Sequence, residues 1–126
     1  MEGVYSDMVS HNVCDIESMM KAFAPKAHAR VHTVALSKLR AYHMELFAIA
    51  RSKQDVHRNF VPRLPSFPPE SVEFFKVCSD TDRASLRNIF GRLLLVLWCV
   101  RNMFPSDALD AISFAQTEIE KVCDNH

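Results

Sequence analysis

The sequence predicts an all-α fold, a compact helical bundle of about five to seven helices packed around a central hydrophobic helix. Three observations carry the prediction. Residues 93–100 read Leu-Leu-Leu-Val-Leu-Trp-Cys-Val without a polar interruption, and a helix apolar on every side is expected to be buried on every side, running through the middle of the fold. Apolar residues in the flanking segments recur at spacings of three and four, the signature of one buried helical stripe. The 126 residues include only two glycines, Gly3 and Gly91, with no Asn-Gly or Asp-Gly pair of the kind that closes tight β-hairpins.

The elements follow in order. A first helix is expected over residues 6–24, with Val9, Val13, Ile16, Met20 and Phe23 as its stripe and Ser6 as its N-cap. Pro25 ends it or opens the next. A second helix is expected over residues 26–52. Ala35, Leu39, Tyr42, Leu46 and Ile49 form its stripe, and Val31, Leu36 and Phe47 widen it towards a second neighbour. Residues 53–69 break the pattern. Val56, Phe60 and Val61 suit one short helical turn, and four prolines between 62 and 69 make an extended connector that Leu64 and Phe67 pin to the core. A third helix starts near Pro69, with Glu70 at the positive end of its dipole and Val72, Phe75 and Cys78 facing inward. Ser79–Asp82 forms a turn, and Thr81 caps the central helix, which runs to Phe104 and stops at Pro105. Ser106 caps the last helix, with Asp107 in its first turn and Leu109, Ile112, Ile119 and Val122 as its buried face.

Composition narrows the function. A chain of this length is one domain, residues 1–126, large enough to hold a real core. Fifteen basic residues balance fifteen acidic ones, which argues against nucleic acid and against an anionic membrane surface as partners. The apolar run falls short of the roughly 20 residues that span a bilayer. The N-terminus lacks the pattern of a signal peptide, and the polar residues 121–126 lack that of a tail anchor. Cys14, Cys78, Cys99 and Cys123 form no Cys-x-x-Cys pair, so a reduced, intracellular, cytoplasmic protein without disulfides is expected.

Catalytic and metal chemistry find little to stand on. His28 with His32 and His11 with Cys14 share helix faces at ligand spacing, but no third or fourth ligand joins either pair. Cys78 and Cys99 sit in apolar surroundings suited to a small hydrophobe rather than a nucleophile. Glu118 and Glu120 lie on different helix faces. No glycine-rich loop is present to cradle a phosphate. Neither an enzyme nor a cofactor site is expected. The distinctive feature is Gly91-Arg92 at the mouth of the apolar helix. A helix-interior glycine is unfavourable by up to about 1 kcal/mol relative to alanine. Close approach of another backbone, from this chain or from a partner, is the expected compensation, while Arg92 either snorkels to water or grips a partner.

The order of these features resembles the Bcl (B-cell lymphoma-two) family of apoptosis regulators in a shortened, virus-like form. The family's first homology region reads Asn-Trp-Gly-Arg at the start of a central hydrophobic helix. Here Ile89-Phe90-Gly91-Arg92-Leu93 takes that place, with Phe90 at the tryptophan position and Ile89 at the asparagine position. Upstream, Glu70-Ser71-Val72-Glu73-Phe74-Phe75-Lys76 and Ser79-Asp80 are similar to the helix preceding that motif. Leu39-Arg40-Ala41-Tyr42 and Leu46-Phe47 look like the helix of the opposite groove wall. The family's second homology region has no counterpart here.

The resemblance implies a pro-survival protein that sequesters the amphipathic Bcl-homology-three helix of death-promoting partners in a hydrophobic surface groove. It implies that Arg92 pairs with the partner's aspartate and that Gly91 admits its small residue. Tyr42, Leu46, Phe60, Phe75, Phe90 and Leu94 would line the apolar pockets. Helix two lacks the Leu-x-x-x-Gly-Asp segment of the death-promoting members. A homodimer covering the apolar surface left by the absent terminal helices, and association with mitochondria through partners, belong to the same expectation. The competing reading is an all-helical interaction or assembly module unrelated to apoptosis, using the face of helix two or the Leu64–Phe67 connector.

Overall fold

The computed structural model describes residues 2–23, 30–52, 65–103 and 110–125, with side chains for 4–23, 33–51, 65–103, 110 and 112–124. Among them the chain is a bundle of five helices with no strand: α1 (Glu2–Phe23), α2 (Arg30–Ser52), α3 (Pro69–Val77), α4 (Asp80–Met103) and α5 (Asp110–Asn125). The α1 stripe of Val9, Val13, Ile16, Met20 and Phe23 is buried throughout, as is the α2 stripe from Ala35 to Leu46, with Ile49 partly buried. Ile112 and Ile119 bury the inner face of α5, and Val122 packs at its edge.

α4 is the axis of the packing. It runs antiparallel to α1, so that Tyr5 meets Trp98 and Asn12 meets Arg92, and it also touches α2, α3 and α5. A chain of aromatic rings crosses the core beneath it. Tyr42 on α2 meets Phe67 at 5.3 Å, Phe67 meets Phe90 on α4 at 5.5 Å, and Phe90 stacks on Phe75 of α3 at 5.5 Å. Such pairs add about 0.5–1.5 kcal/mol each beyond their area. Phe67 therefore pins the connector as expected, whereas Leu64, the turn at 56–61, Pro25, Pro105, Ser106, Asp107 and Leu109 lie outside the described residues.

Several local expectations are corrected. α1 begins four residues before Ser6, which is buried inside the helix; the packing of Tyr5 on Trp98 rewards further turns and overrides the local capping signal. Thr81 does not cap α4. Ser79 does: its hydroxyl accepts the Asp82 N–H at 3.2 Å and its carbonyl accepts the Arg83 N–H at 2.8 Å. The α3–α4 turn is clamped by Arg83, whose guanidinium donates to the carbonyls of Phe75, Lys76 and Cys78 at 3.0–3.4 Å. The oxygens of Phe75 and Lys76 belong to the last turn of α3 and that of Cys78 to its C-cap, where no further helical turn follows to bond them.

The principal correction concerns α4 itself. Leu93, Val96, Leu97, Cys99 and Val100 are buried, but Leu95 and Trp98 are 42% and 45% exposed. Four neighbouring helices do not enclose a fifth on all sides, and the uncovered strip is apolar. No helix among the described residues is long and apolar enough to cross a membrane.

Candidate functional site: the open face of α4

The uncovered strip carries Asn88, Gly91, Leu95, Trp98 and Asn102 at spacings of three and four, one helical face over about four turns. A hollow of about 430 Å³ along it is lined by Gly91, Leu94, Leu95 and Trp98 of α4 and by Gln116 and Glu120 of α5. On the other flank, α1 contributes Tyr5, whose ring meets Trp98 edge-on at 5.6 Å. A Cβ built on Gly91 would meet no atom within 4 Å. The expectation that this glycine admits a neighbouring backbone of the same chain is therefore corrected: it is a notch in an exposed surface.

Arg92 stands at the α1 edge of the strip, its side chain 43% exposed. Nη1 donates to Asn12 Oδ1 at 3.2 Å and lies 3.5 Å from Asp15 Oδ2. Asn12 is held in turn by its own Nδ2 bond to the Met8 carbonyl at 2.8 Å. His11 Nε2 approaches the same Asp15 oxygen at 3.7 Å. An ion pair this exposed is worth about 0–1 kcal/mol, so α1 orients the guanidinium without locking it.

The other expected groove residues separate into three groups. Gly91 is exposed, and Leu94 is partly buried at the wall of the hollow. Tyr42, Leu46, Phe75 and Phe90 are core residues, fully or almost fully buried, because they form the aromatic layer joining α2, α3 and α4. None of them lines the hollow on the open face of α4; Tyr42 instead borders a separate hollow of about 390 Å³ between α2 and the connector, with Glu45, Pro65 and Glu70. Phe60 lies outside the described residues. Burial, and then the nearby Glu118 carboxylate, push the Tyr42 hydroxyl well above its ordinary range, so it stays protonated. Trp98 and Leu95 are the exposed members that the uniform apolarity of the run conceals.

Elsewhere, His43 is fully buried beside Glu17, with Nε2 at 3.1 Å from Oε1. That is close enough for an ion pair if the ring is protonated, while Nδ1 is left without a hydrogen-bond partner. Burial lowers its pKa, Glu17 opposes the shift, and Arg40 reinforces it. Arg40 itself grips Glu17 through Nε at 3.0 and 3.3 Å. A second hollow, about 520 Å³, opens between α1 and α2 above this pair.

Cys78 and Cys99 are buried free thiols whose burial raises their pKa, while Cys14 is exposed. Among the described residues no three His, Cys, Asp or Glu side chains are grouped to hold a metal. Comparison with family models, with curated proteins and with solved structures finds no match for this chain.

Proposed function

We propose that this protein binds an amphipathic helix of a protein partner on the open face of α4, with the partner's apolar stripe against Leu94, Leu95 and Trp98. The observation that carries the reading is Gly91. A glycine that is unfavourable in the helix and faces open space, between a half-exposed arginine and an exposed tryptophan, is accounted for by a visiting backbone. Helix-in-groove recognition sets a partner's apolar anchors, one and two turns apart, against an apolar surface, and the strip offers Leu94, Leu95 and Trp98 beside the Gly91 notch.

The resemblance of Phe90-Gly91-Arg92 to the Bcl motif makes death-promoting Bcl-homology-three helices the first partners to test, and inhibition of apoptosis by sequestering them the biological outcome. Arg92 would then exchange Asp15 for the partner's aspartate. The unrelated interaction module remains the second reading, and one observation favours it: four of the residues that the resemblance assigns to the groove are core. Titration of Bcl-homology-three peptides into the full chain and its Arg92→Ala variant tests the proposal. Micromolar or tighter binding, weakened by about 2–5 kcal/mol in the variant if the pair is desolvated, supports it. Absence of binding to every such peptide leaves the interaction-module reading.

A further inference from the structure

The hollow of about 520 Å³ between α1 and α2 is formed by two helix faces. Glu17, Met20 and Lys21 line it from α1, and Thr33, Leu36, Ser37 and Arg40 from α2, each set at spacings of three and four. Met20 and Leu36, otherwise buried, give it an apolar floor. Lys21, Ser37 and Arg40 are exposed and give it a polar rim.

The charges on this wall do not balance. Arg40 commits only Nε to Glu17, at 3.0 and 3.3 Å. Its guanidinium makes no further hydrogen bond among the described residues. Both Nη groups, on a side chain 63% exposed, are therefore able to grip a second carboxylate side by side. Lys21, one turn from Glu17 on the same face, makes no ion pair among the described residues. Two cations thus face one anion, and an entering carboxylate brings the sum to zero. The hollows flanking the connector are different. Glu45 and Glu70 with Lys38 wall one, and Asp110 and Glu118 the other, a balance that repels an anion.

We infer that the hollow between α1 and α2 binds a small amphiphilic carboxylate of the medium-chain fatty acid class, its head group on the Arg40 Nη pair beside Lys21 and its tail along Met20 and Leu36. From Arg40 to Thr33 the cleft runs two turns of α2, about 10.5 Å, which suits an extended tail of about eight carbons. Hollows of this volume with an apolar floor and a few convergent polar groups are the usual form of a small-molecule site. The inference does not involve the open face of α4 and holds whichever partner the protein captures there.

Calorimetric titration of the full chain with octanoate, octanol and octylamine is the test. Octanoate is expected to bind saturably with a dissociation constant of about 0.05–1 mM. The neutral and cationic analogues, with the same tail, should bind at least about tenfold more weakly. Arg40→Gln should weaken octanoate at least about tenfold, and Arg40→Lys, which keeps the charge but not the paired donors, by less. Ser37→Phe, a change at an exposed position, fills the hollow and should abolish binding. Trp98→Ala, on α4, should leave it unchanged. Circular dichroism confirms that each variant is folded.

A wild-type chain that takes up no octanoate saturably to about 5 mM overturns the inference. So does equal affinity for the three head groups, or octanoate binding that is indifferent to Arg40→Gln or is lost in Trp98→Ala. Failure of every partner peptide to bind would leave these outcomes unchanged.

Discussion

Arg92 of α4 and Asp15 of α1 face each other at 3.5 Å across the edge of the open face, with Asn12 bonded to the same Nη1 at 3.2 Å. The carboxylate is about one-third exposed and the guanidinium more so. The pair therefore lies in screening solvent and holds the arginine in place without committing it. A double-mutant cycle with Asp15→Ala and Arg92→Ala, read by urea denaturation, is expected to give a coupling of no more than about 1 kcal/mol. A coupling of several kcal/mol would make Arg92 a structural residue that is not free to change partner.

Gly91→Ala should stabilise the monomer by up to about 1 kcal/mol, because alanine is the better helix former and the added methyl meets nothing. Thermal unfolding of the wild type and the variant checks this. Destabilisation would mean that the glycine is needed inside the fold.

Depth should separate neighbouring leucines on α4. Leu93 is fully buried and Leu95 is 42% exposed. Leu93→Ala is expected to lower stability by about 2–5 kcal/mol, and Leu95→Ala by well under 1 kcal/mol. Equal losses in the two variants would contradict the placement of the open face.

Arg83→Ala should destabilise the α3–α4 junction by about 1–3 kcal/mol, since three carbonyls at the end of α3 lose the guanidinium at once and only that of Phe75 keeps a second, weaker donor in the Cys78 thiol. Hydrogen exchange should rise first at Cys78 and Arg83, whose amides bond the carbonyls of Phe74 and Ser79. Unchanged exchange there would show that the turn holds without the clamp.

His43 gives the fold an acid-sensitive point. Burial lowers its pKa from the ordinary 6.5, so the unfolded chain takes up the proton more readily than the folded one. Its contribution to stability is complete above about pH 6.5 and is lost as the pH falls from there through the lowered folded value. Glu17 and Arg40 act on the ring in opposite directions, and burial prevails. Urea midpoints measured between pH 8 and pH 5 should fall with pH in the wild type and fall less in His43→Leu. Parallel curves would place the acid sensitivity elsewhere.

Much of this was legible in the sequence. The all-α class followed from the scarcity of glycine and the three-four spacing, and the α1 stripe from Val9 to Phe23 is buried residue for residue. The start of α1 was not legible, because the ring contact that extends it joins Tyr5 to a residue 93 positions later. Thr81 was the expected cap of α4, and only the folded geometry shows that Ser79 takes that place, its hydroxyl accepting the Asp82 N–H. The eight apolar residues from 93 to 100 concealed the exposed face, since hydrophobicity alone cannot tell a core strip from a docking strip. The signal lay at the ends of the run. Asn88 and Asn102, on the same helical face as Gly91, Leu95 and Trp98, mark that face as reaching water at both ends. The pockets assigned to Tyr42, Leu46, Phe75 and Phe90 followed the motif rather than the packing, and packing turned these side chains inward.

Trp98 is the chain's only tryptophan, so its emission reports directly on whether the α4 face takes up a helix. Acrylamide quenching of Trp98 should be appreciable in the dilute protein, where the ring is 45% exposed. It should fall, with a blue shift of the emission, when a bound amphipathic helix covers the face. Quenching and emission that stay constant while titration records binding would place the interface elsewhere and contradict the account.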